Sequence, residues 1–206
     1  MQRENLKNFA AFLHSKDIFF DSSSLIDEYL KSNEVLEIFT DGSCTGNGKI
    51  NSKGGIGVFY AGNFLPHKSI KYETLYEDFL NLYGIDISIA TNNKAELLAI
   101  YVALQDIINY KPGSKQIFIY SDSIYSIKCL TEWSEKWKLN NWNTSTGTPV
   151  NNKEVIEKIL IMLKSLNCVK FKHVKGHKKE PKKEDPDYRL WYGNNQEDIL
   201  ATSAQL

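Results

Sequence analysis

Four acidic residues stand where a folded chain can gather carboxylates. Asp41 follows the apolar run from Val35 to Phe39, and Asp122 follows the run from Gln116 to Tyr120. Glu96 and Asp198 each sit in the first turn of a helical pattern. Neighbouring strands end close together, so Asp41 and Asp122 are expected side by side, and a helix crossing that end of the sheet adds Glu96. Clustered carboxylates repel and raise one another's pKa unless a cation neutralises them. Ligands that are all oxygen select hard ions such as Mg²⁺ or Mn²⁺. Two such ions about 4 Å apart can activate a water and stabilise the leaving oxygen of a phosphodiester. Each residue also has a plainer reading. Asp41 before Gly42 fits turn chemistry, Glu96 and Asp198 complement helix dipoles, and Asp122 fits an N-cap. Spacing alone leaves both readings open.

Positioning these residues takes strands and helices in one body. Val35 to Phe39 is a β-rich run that ends at Thr40-Asp41-Gly42-Ser43. Gly54 to Tyr60 is a second run, and the glycine-rich link between them suggests a hairpin. A short helix is expected over residues 73–83. A long one follows from Asn92 to Ile108, with Ala95, Leu98, Ala99, Val102 and Ala103 on one side. Gln116 to Tyr120 and Val169 to Val174 read as strands. Helical patterns run through Trp137, from Asn152 to Leu166, and from Asn194 to Gln205. The order predicts an α/β fold, a mixed sheet flanked by helices. Residues 1–34 read as a short helical N-terminal extension, with Leu6, Phe9, Ala10 and Leu13 at helical spacing. Lys178 to Asp187, rich in Lys, Glu, Asp and Pro, is the one segment expected to lack order.

Composition excludes more than it identifies. Of 206 residues, 42% are hydrophobic and 24% charged, as in an ordinary soluble domain. No apolar run approaches the ~18 residues that would span a bilayer, and charges interrupt the N-terminus too often for a secretory signal. Cys44, Cys129 and Cys168 are few, odd in number and scattered. They fit a reduced intracellular protein rather than a disulfide framework. The formal net charge is +0, yet it is unevenly spread. From Trp133 to Lys183 twelve lysines stand against four glutamates, a local excess of eight positive charges. Such asymmetry suits one face for a polyanion, although a solvated lysine-rich surface also accounts for it.

Five colinear signatures sharpen the reading. Thr40-Asp41-Gly42-Ser43 with Gly46-Asn47-Gly48 and Gly54–Val58, then Thr91–Glu96, Tyr120–Ser123, His173–His177, and Gly193-Asn194 with Asp198, Leu200 and Ala201 resemble the type 1 ribonuclease H family. The resemblance runs from about Leu36 to Ala204. It implies a ribonuclease H-like fold with a five-stranded mixed sheet in a catalytic domain over residues 35–206. The implied function is endonucleolytic hydrolysis of the RNA strand of RNA–DNA hybrids, leaving 5′-phosphate and 3′-hydroxyl ends. Asp41, Glu96, Asp122 and Asp198 are implied as catalytic ligands of two Mg²⁺ ions, for which Mn²⁺ can substitute. Asp41 and Asp122 would bridge or bind the metals, Glu96 would lie near the attacked strand, and Asp198 would be the most weakly held ligand. His177 matches a catalytic histidine thought to assist product release or proton transfer.

The same resemblance implies substrate contacts. Trp133 and Trp137, with Trp142, Lys136 and Lys138, resemble a basic protrusion whose aromatic rings pack on deoxyribose while lysines neutralise phosphates. Tryptophans at spacing four also make a plain helix core stripe. Thr91 and Asn152 match a DNA-phosphate pocket, and Ser145 a neighbouring DNA contact. Asn47, Asn92 and Asn93 match residues that meet the RNA strand, where 2′-hydroxyls distinguish it from DNA. A monomer is expected, with an RNA–DNA hybrid as partner and no membrane.

Four departures stand out. Ile89 replaces the pocket's usual arginine, the segments from Lys71 to Ser88 and from His177 to Gly193 are long, and Glu197 stands where a small residue is common. Glu197 could add negative charge near the metals, although on a helix it is expected to point elsewhere. Three rival readings follow the same motifs: a ribonuclease H domain of a reverse transcriptase, a hybrid-binding module without catalysis, and a related transposase or resolvase. The start at Met1 and the protrusion weigh against the first, the four carboxylates against the second, and the RNA-contact asparagines against the third.

Overall fold

The computed structural model describes residues 35–206 apart from Ser114 and Asn167, so the expected helical extension over 1–34 lies outside the described residues. Five strands form one sheet in the order β3-β2-β1-β4-β5: β1 Val35–Thr45, β2 Lys53–Tyr60, β3 Lys68–Lys71, β4 Gln116–Ser121 and β5 Val169–His173. The first three are antiparallel neighbours, whereas β4 lies parallel to both β1 and β5. This is the mixed five-stranded sheet with flanking helices that the resemblance implied.

Alternation along the strands sends side chains to two faces. Leu36 and Ile38 of β1, with Ile56 and Val58 of β2, enter the larger apolar core. That core is closed by α1 (Tyr72–Tyr83), α2 (Asn92–Tyr110) and α5 (Lys153–Ser165). Helix α2 is nearly apolar all round because it is central. Leu97, Leu98, Ile100 and Leu104 are fully buried, and each such side chain contributes about 1.5–3 kcal/mol by leaving water. Phe39, Phe59 and Tyr120 enter a smaller cluster on the other face, beneath α6 (Tyr188–Ser203). Between β4 and α5 the chain makes α3 (Ile124–Lys128), a π-helical turn (Cys129–Trp133) and α4 (Ser134–Leu139).

Several boundaries differ from the sequence expectations. Strand β1 does not end at Asp41 but continues to Thr45, because Gly42 to Thr45 keep pairing with Lys53 to Ile56 of β2. Strand β3 is only four residues long and carries one half-buried apolar residue, Ile70, too little for an alternation signal. Helix α6 starts at Tyr188 rather than Asn194, so Asp198 lies in its third turn and not its first. Glu96 likewise falls at the start of the second turn of α2. The segment from Lys178 to Asp187, expected to lack order, holds turns closed by Asp185 N–H to the Lys182 carbonyl (2.9 Å) and Tyr188 N–H to the Asp185 carbonyl (2.9 Å). Among the described residues no helix is long and apolar enough to cross a membrane.

Candidate active site

The parallel register places the first two carboxylates. Val35 pairs with Gln116 and the pairing runs in step to Phe39 with Tyr120. Continued by two residues, it sets Asp41 beside Asp122 just past the end of β4. Thr40, directly before Asp41, donates its hydroxyl to the Tyr120 carbonyl at 3.3 Å and keeps the two strands together there.

Glycines let the helices deliver the remaining carboxylates. A Cβ on Gly42 would lie 2.1 Å from the backbone of both Ala95 and Glu96, so only glycine lets α2 ride this close to β1. That approach carries Glu96 over the strand to Asp41. On the opposite face a Cβ on Gly57 would lie 2.1 Å from the Glu197 carbonyl oxygen. Gly57 is the register partner of Asp41. Helix α6 is therefore seated beside Asp41, and with it Glu197 and Asp198.

Among the described residues Asp41, Glu96 and Asp122 each offer a carboxylate oxygen within 4.8 Å of the others. Asp198 stands outside that distance, but its charge acts on both Asp41 and Asp122. Burial, then the charges of Asp122 and Asp198, push the Asp41 carboxyl from 3.8 up to about 7. Burial and the charge of Asp41 raise Glu96 well above the usual carboxylate range. Hydrogen bonding between these two carboxyls lowers Asp41 and raises Glu96. Asp122 is raised mainly by burial, and the nearby His177 and His173 charges pull it back down. His177 adopts left-handed backbone (φ 51°) after Gly176, whose Cα is packed against the Asp122 carboxylate. The loop after β5 thus sets an imidazole beside the second aspartate.

The donor set fits a hard divalent cation. It is oxygen-only, and among the described residues Glu96 Oε2 is buried with no hydrogen-bond partner. Glu197 corrects the sequence expectation, since it does not point elsewhere. It is fully buried, both of its carboxylate oxygens are unpartnered, and the charges acting most strongly on it are those of Asp41, Asp122, Glu96 and Asp198.

The residues expected to contact substrate fall into two groups. Asn47 accepts a hydrogen bond from the Asn92 backbone N–H at 2.9 Å, and Gly48 N–H donates to the Ala90 carbonyl at 2.9 Å. These bonds dock the β1–β2 loop on the start of α2, with Asn92 and Asn93 exposed. Thr91 caps α2 by accepting from Lys94 N–H at 3.2 Å. The Lys94 ammonium donates to the Ile89 carbonyl at 2.8 Å, so a cation does stand beside the position that lacks an arginine. Asn152, the N-cap of α5, has φ 61° and donates to the Tyr125 hydroxyl at 3.1 Å. The charges of Lys94 and Glu154 feel one another, so the starts of α2 and α5 lie on the same side.

Tyr125, Trp133, Trp137 and Trp142 form a chain of rings with centroids 6.1, 5.7 and 6.3 Å apart. All are half-buried against the main core, so the tryptophans are core residues on one edge and surface on the other. Lys128 and Lys153 lie over the Trp133 and Trp142 rings, each at 5.8 Å. Ser145 is exposed at the tip of a loop tied by the Thr144, Thr146 and Thr148 hydroxyls. Sequence reasoning missed Tyr125 as partner of Asn152 and missed the Arg189–Glu37 ion pair, in which Tyr120 also donates to Glu37 at 2.7 Å. Neither has a motif to announce it.

A five-stranded 3-2-1-4-5 sheet with acidic residues at the β1–β4 end and on two covering helices defines the class of ribonuclease H-like folds. Among solved structures the chain is similar to the PFV RNase H domain (TM-score 0.58, 19% identity, 82% of this chain and 93% of that one). It is also similar to LC9-RNase H1, a type 1 RNase H with the type 2 active-site motif (TM-score 0.57, 20% identity, 84% and 72%). The RNase H family model matches residues 33–205. A ribonuclease H of Clostridium botulinum is 37% identical over 168 residues, 81% of this chain and 93% of that protein. One of Schizosaccharomyces pombe is 34% identical over 186 residues, 90% of this chain, which spans 59% of that protein's length. The chain belongs to the ribonuclease H family.

Proposed function

We propose that this chain is an endoribonuclease that hydrolyses the RNA strand of RNA–DNA hybrids, leaving 5′-phosphate and 3′-hydroxyl ends. The observation that carries the reading is the Asp41–Glu96–Asp122 cluster, within 4.8 Å, at the end of the central strands that also bears the Asn47–Asn92 loop. Asp41, Glu96, Asp122 and Asp198 would hold two Mg²⁺ ions, or Mn²⁺ in their place. When bound, the ions supply the water activation and charge neutralisation that phosphodiester hydrolysis requires.

The chain's own residues do the rest. Asn47, Asn92 and Asn93 meet the RNA strand, where amide groups can pair with 2′-hydroxyls. Thr91 and Asn152, at the starts of two helices, offer side chains and free N–H groups to a DNA phosphate. Lys94 supplies the positive charge that Ile89 does not. Trp133 and Trp137 pack on deoxyribose, with Trp142, Lys136 and Lys138 beside them, and Ser145 touches the same strand. His177, beside Asp122, assists proton transfer or product release. The protein acts as an intracellular monomer, with residues 35–206 as the catalytic domain and 1–34 as an appendage.

The test is digestion of an end-labelled hybrid with Mg²⁺ beside RNA–RNA, DNA–DNA and single-stranded substrates. Cutting confined to RNA in the hybrid, with products extendable by a polymerase, supports the reading. Cutting of duplex DNA, or binding of hybrid without cleavage in either metal, overturns it.

A further inference from the structure

The buried side-chain oxygens without a hydrogen-bond partner among the described residues are Glu96 Oε2, Asn194 Oδ1, Glu197 Oε1 and Glu197 Oε2. All four are acceptors. Burying an unpaired polar group is costly, and burying an unpaired charge costs more, so a collection made up only of acceptors asks for a partner that brings positive charge. Three of the four lie on two residues whose strongest electrostatic neighbours are Asp41 and Asp122. The fourth, on Asn194, is one helical turn before Glu197 on the same side of α6.

Glu197 is held in this position by the backbone rather than by its own contacts. Its carbonyl rests over Gly57, opposite Asp41 in the ladder, which fixes the point on α6 from which the side chain starts. It is fully buried, and the charges nearest to it are all carboxylates. Like Asp198 it falls outside the 4.8 Å grouping of Asp41, Glu96 and Asp122, but unlike the half-buried Asp198 it is fully buried, which suits it to an indirect role. Small hard cations such as Mg²⁺ keep several of their waters when bound to proteins. Those waters need acceptors, and groups beyond the direct ligands typically change metal affinity by roughly 10–100-fold.

We propose that Glu197 belongs to the cation site as a fifth carboxylate, accepting hydrogen bonds from the hydration shell of an ion held by Asp41, Glu96 and Asp122. It adds one negative charge, so this chain holds its divalent ion more tightly than four carboxylates alone would. The inference rests on the divalent-cation reading of the site above.

The experiment is calorimetric titration of the full chain with Mg²⁺ alone and Mn²⁺ alone, for the wild type, Glu197→Gln, Glu197→Ala and Glu180→Gln. Glu180 is exposed on the loop after His177 and removes the same formal charge at the surface. Both Glu197 variants are expected to bind about tenfold more weakly, with Glu180→Gln unchanged. Melting without metal checks folding, and relief of buried like charge should leave the near-isosteric Glu197→Gln at least as stable as the wild type, whereas Glu197→Ala also leaves a cavity. Wild-type affinity in both Glu197 variants would overturn the proposal and leave the four-carboxylate site standing. An equal loss in Glu180→Gln would also overturn it, by showing a bulk charge effect. A wild type that binds neither ion would sink the divalent-cation reading itself.

Discussion

Asp41 and Gly57 are partners across the β1–β2 ladder, and the absent side chain at Gly57 leaves room for the backbone of α6 at Glu197. On the other face Gly42, next to Asp41, makes the same room for α2 at Glu96. Two close approaches, one on each side of a single strand, bring helical carboxylates to a strand carboxylate. The site is thus built by backbone contact as much as by its ligands.

It follows that adding one methyl group at these glycines should disable the site without touching a ligand. Gly57→Ala places a Cβ where the Glu197 carbonyl stands, and Gly42→Ala places one against Ala95 and Glu96. Each should cost upwards of the ~1–3 kcal/mol typical of overpacking and weaken Mg²⁺ binding at least tenfold. Denaturant unfolding and metal titration of both variants check this. Native affinity in either one would show that the helices can shift and keep the cluster intact.

Much of this was legible in the sequence and some was not. The order of strands and helices and the α2 and α5 limits came from local pattern, because long helices leave marks over many residues, whereas the four carboxylates were singled out by the resemblance once spacing alone had left them open. What depends on non-local packing left none. Gly193 reads as a helix boundary, yet it lies inside α6 because the Phe39 ring occupies the space a side chain would take. Helix geometry leads one to expect Glu197 to point away from the metals, and the seating of α6 on Gly57 turns it inward. The four residues of β3 carry too few apolar positions to register.

The raised carboxyls predict how pH and metal act together. In the metal-free protein Asp41 titrates at about 7, against 3.8 ordinarily. Between these values the folded state keeps a proton that the unfolded chain has released. Its contribution to stability is therefore complete below about pH 3.8 and is lost as pH rises through about 7. A divalent ion takes the place of that proton. The rise in Tm on adding Mg²⁺ should accordingly be larger at pH 8 than at pH 5.5. An equal rise at both, measured in one buffer series with a chelated control, would contradict the proton–metal competition.

Arg189 of α6 and Glu37 of β1 form an ion pair, Glu37 buried and Arg189 half-buried, with Tyr120 as a further donor to Glu37. Removing one partner strands the other, so Arg189→Met should cost about 3–5 kcal/mol. Replacing both, Arg189→Met with Glu37→Gln, should recover a good part of that loss. Thermal or urea unfolding of the three proteins decides it. A double variant no more stable than Arg189→Met would show that the pair is needed for packing rather than for charge.

The aromatic chain from Tyr125 to Trp142, with its lysines, predicts substrate affinity rather than chemistry. Trp137→Ala should raise KM for hybrid several-fold, since stacked aromatic contacts are worth roughly 1–3 kcal/mol per base. Lys136→Ala, at an exposed site, should lower the salt dependence of binding by about one unit of slope. Binding measured across a salt series tests both. Unchanged KM and slope would move the substrate path away from this edge.

Single-turnover cleavage of an RNA–DNA hybrid by the wild type and Asp122→Asn, with hybrid binding measured on the same samples, is the most direct measurement. Asp122 sits beside Asp41 in the register and beside His177 in the loop, so its loss should abolish cutting in Mg²⁺ while hybrid affinity stays within a few-fold. Cleavage by Asp122→Asn at the wild-type rate would contradict the assignment of chemistry to this carboxylate cluster.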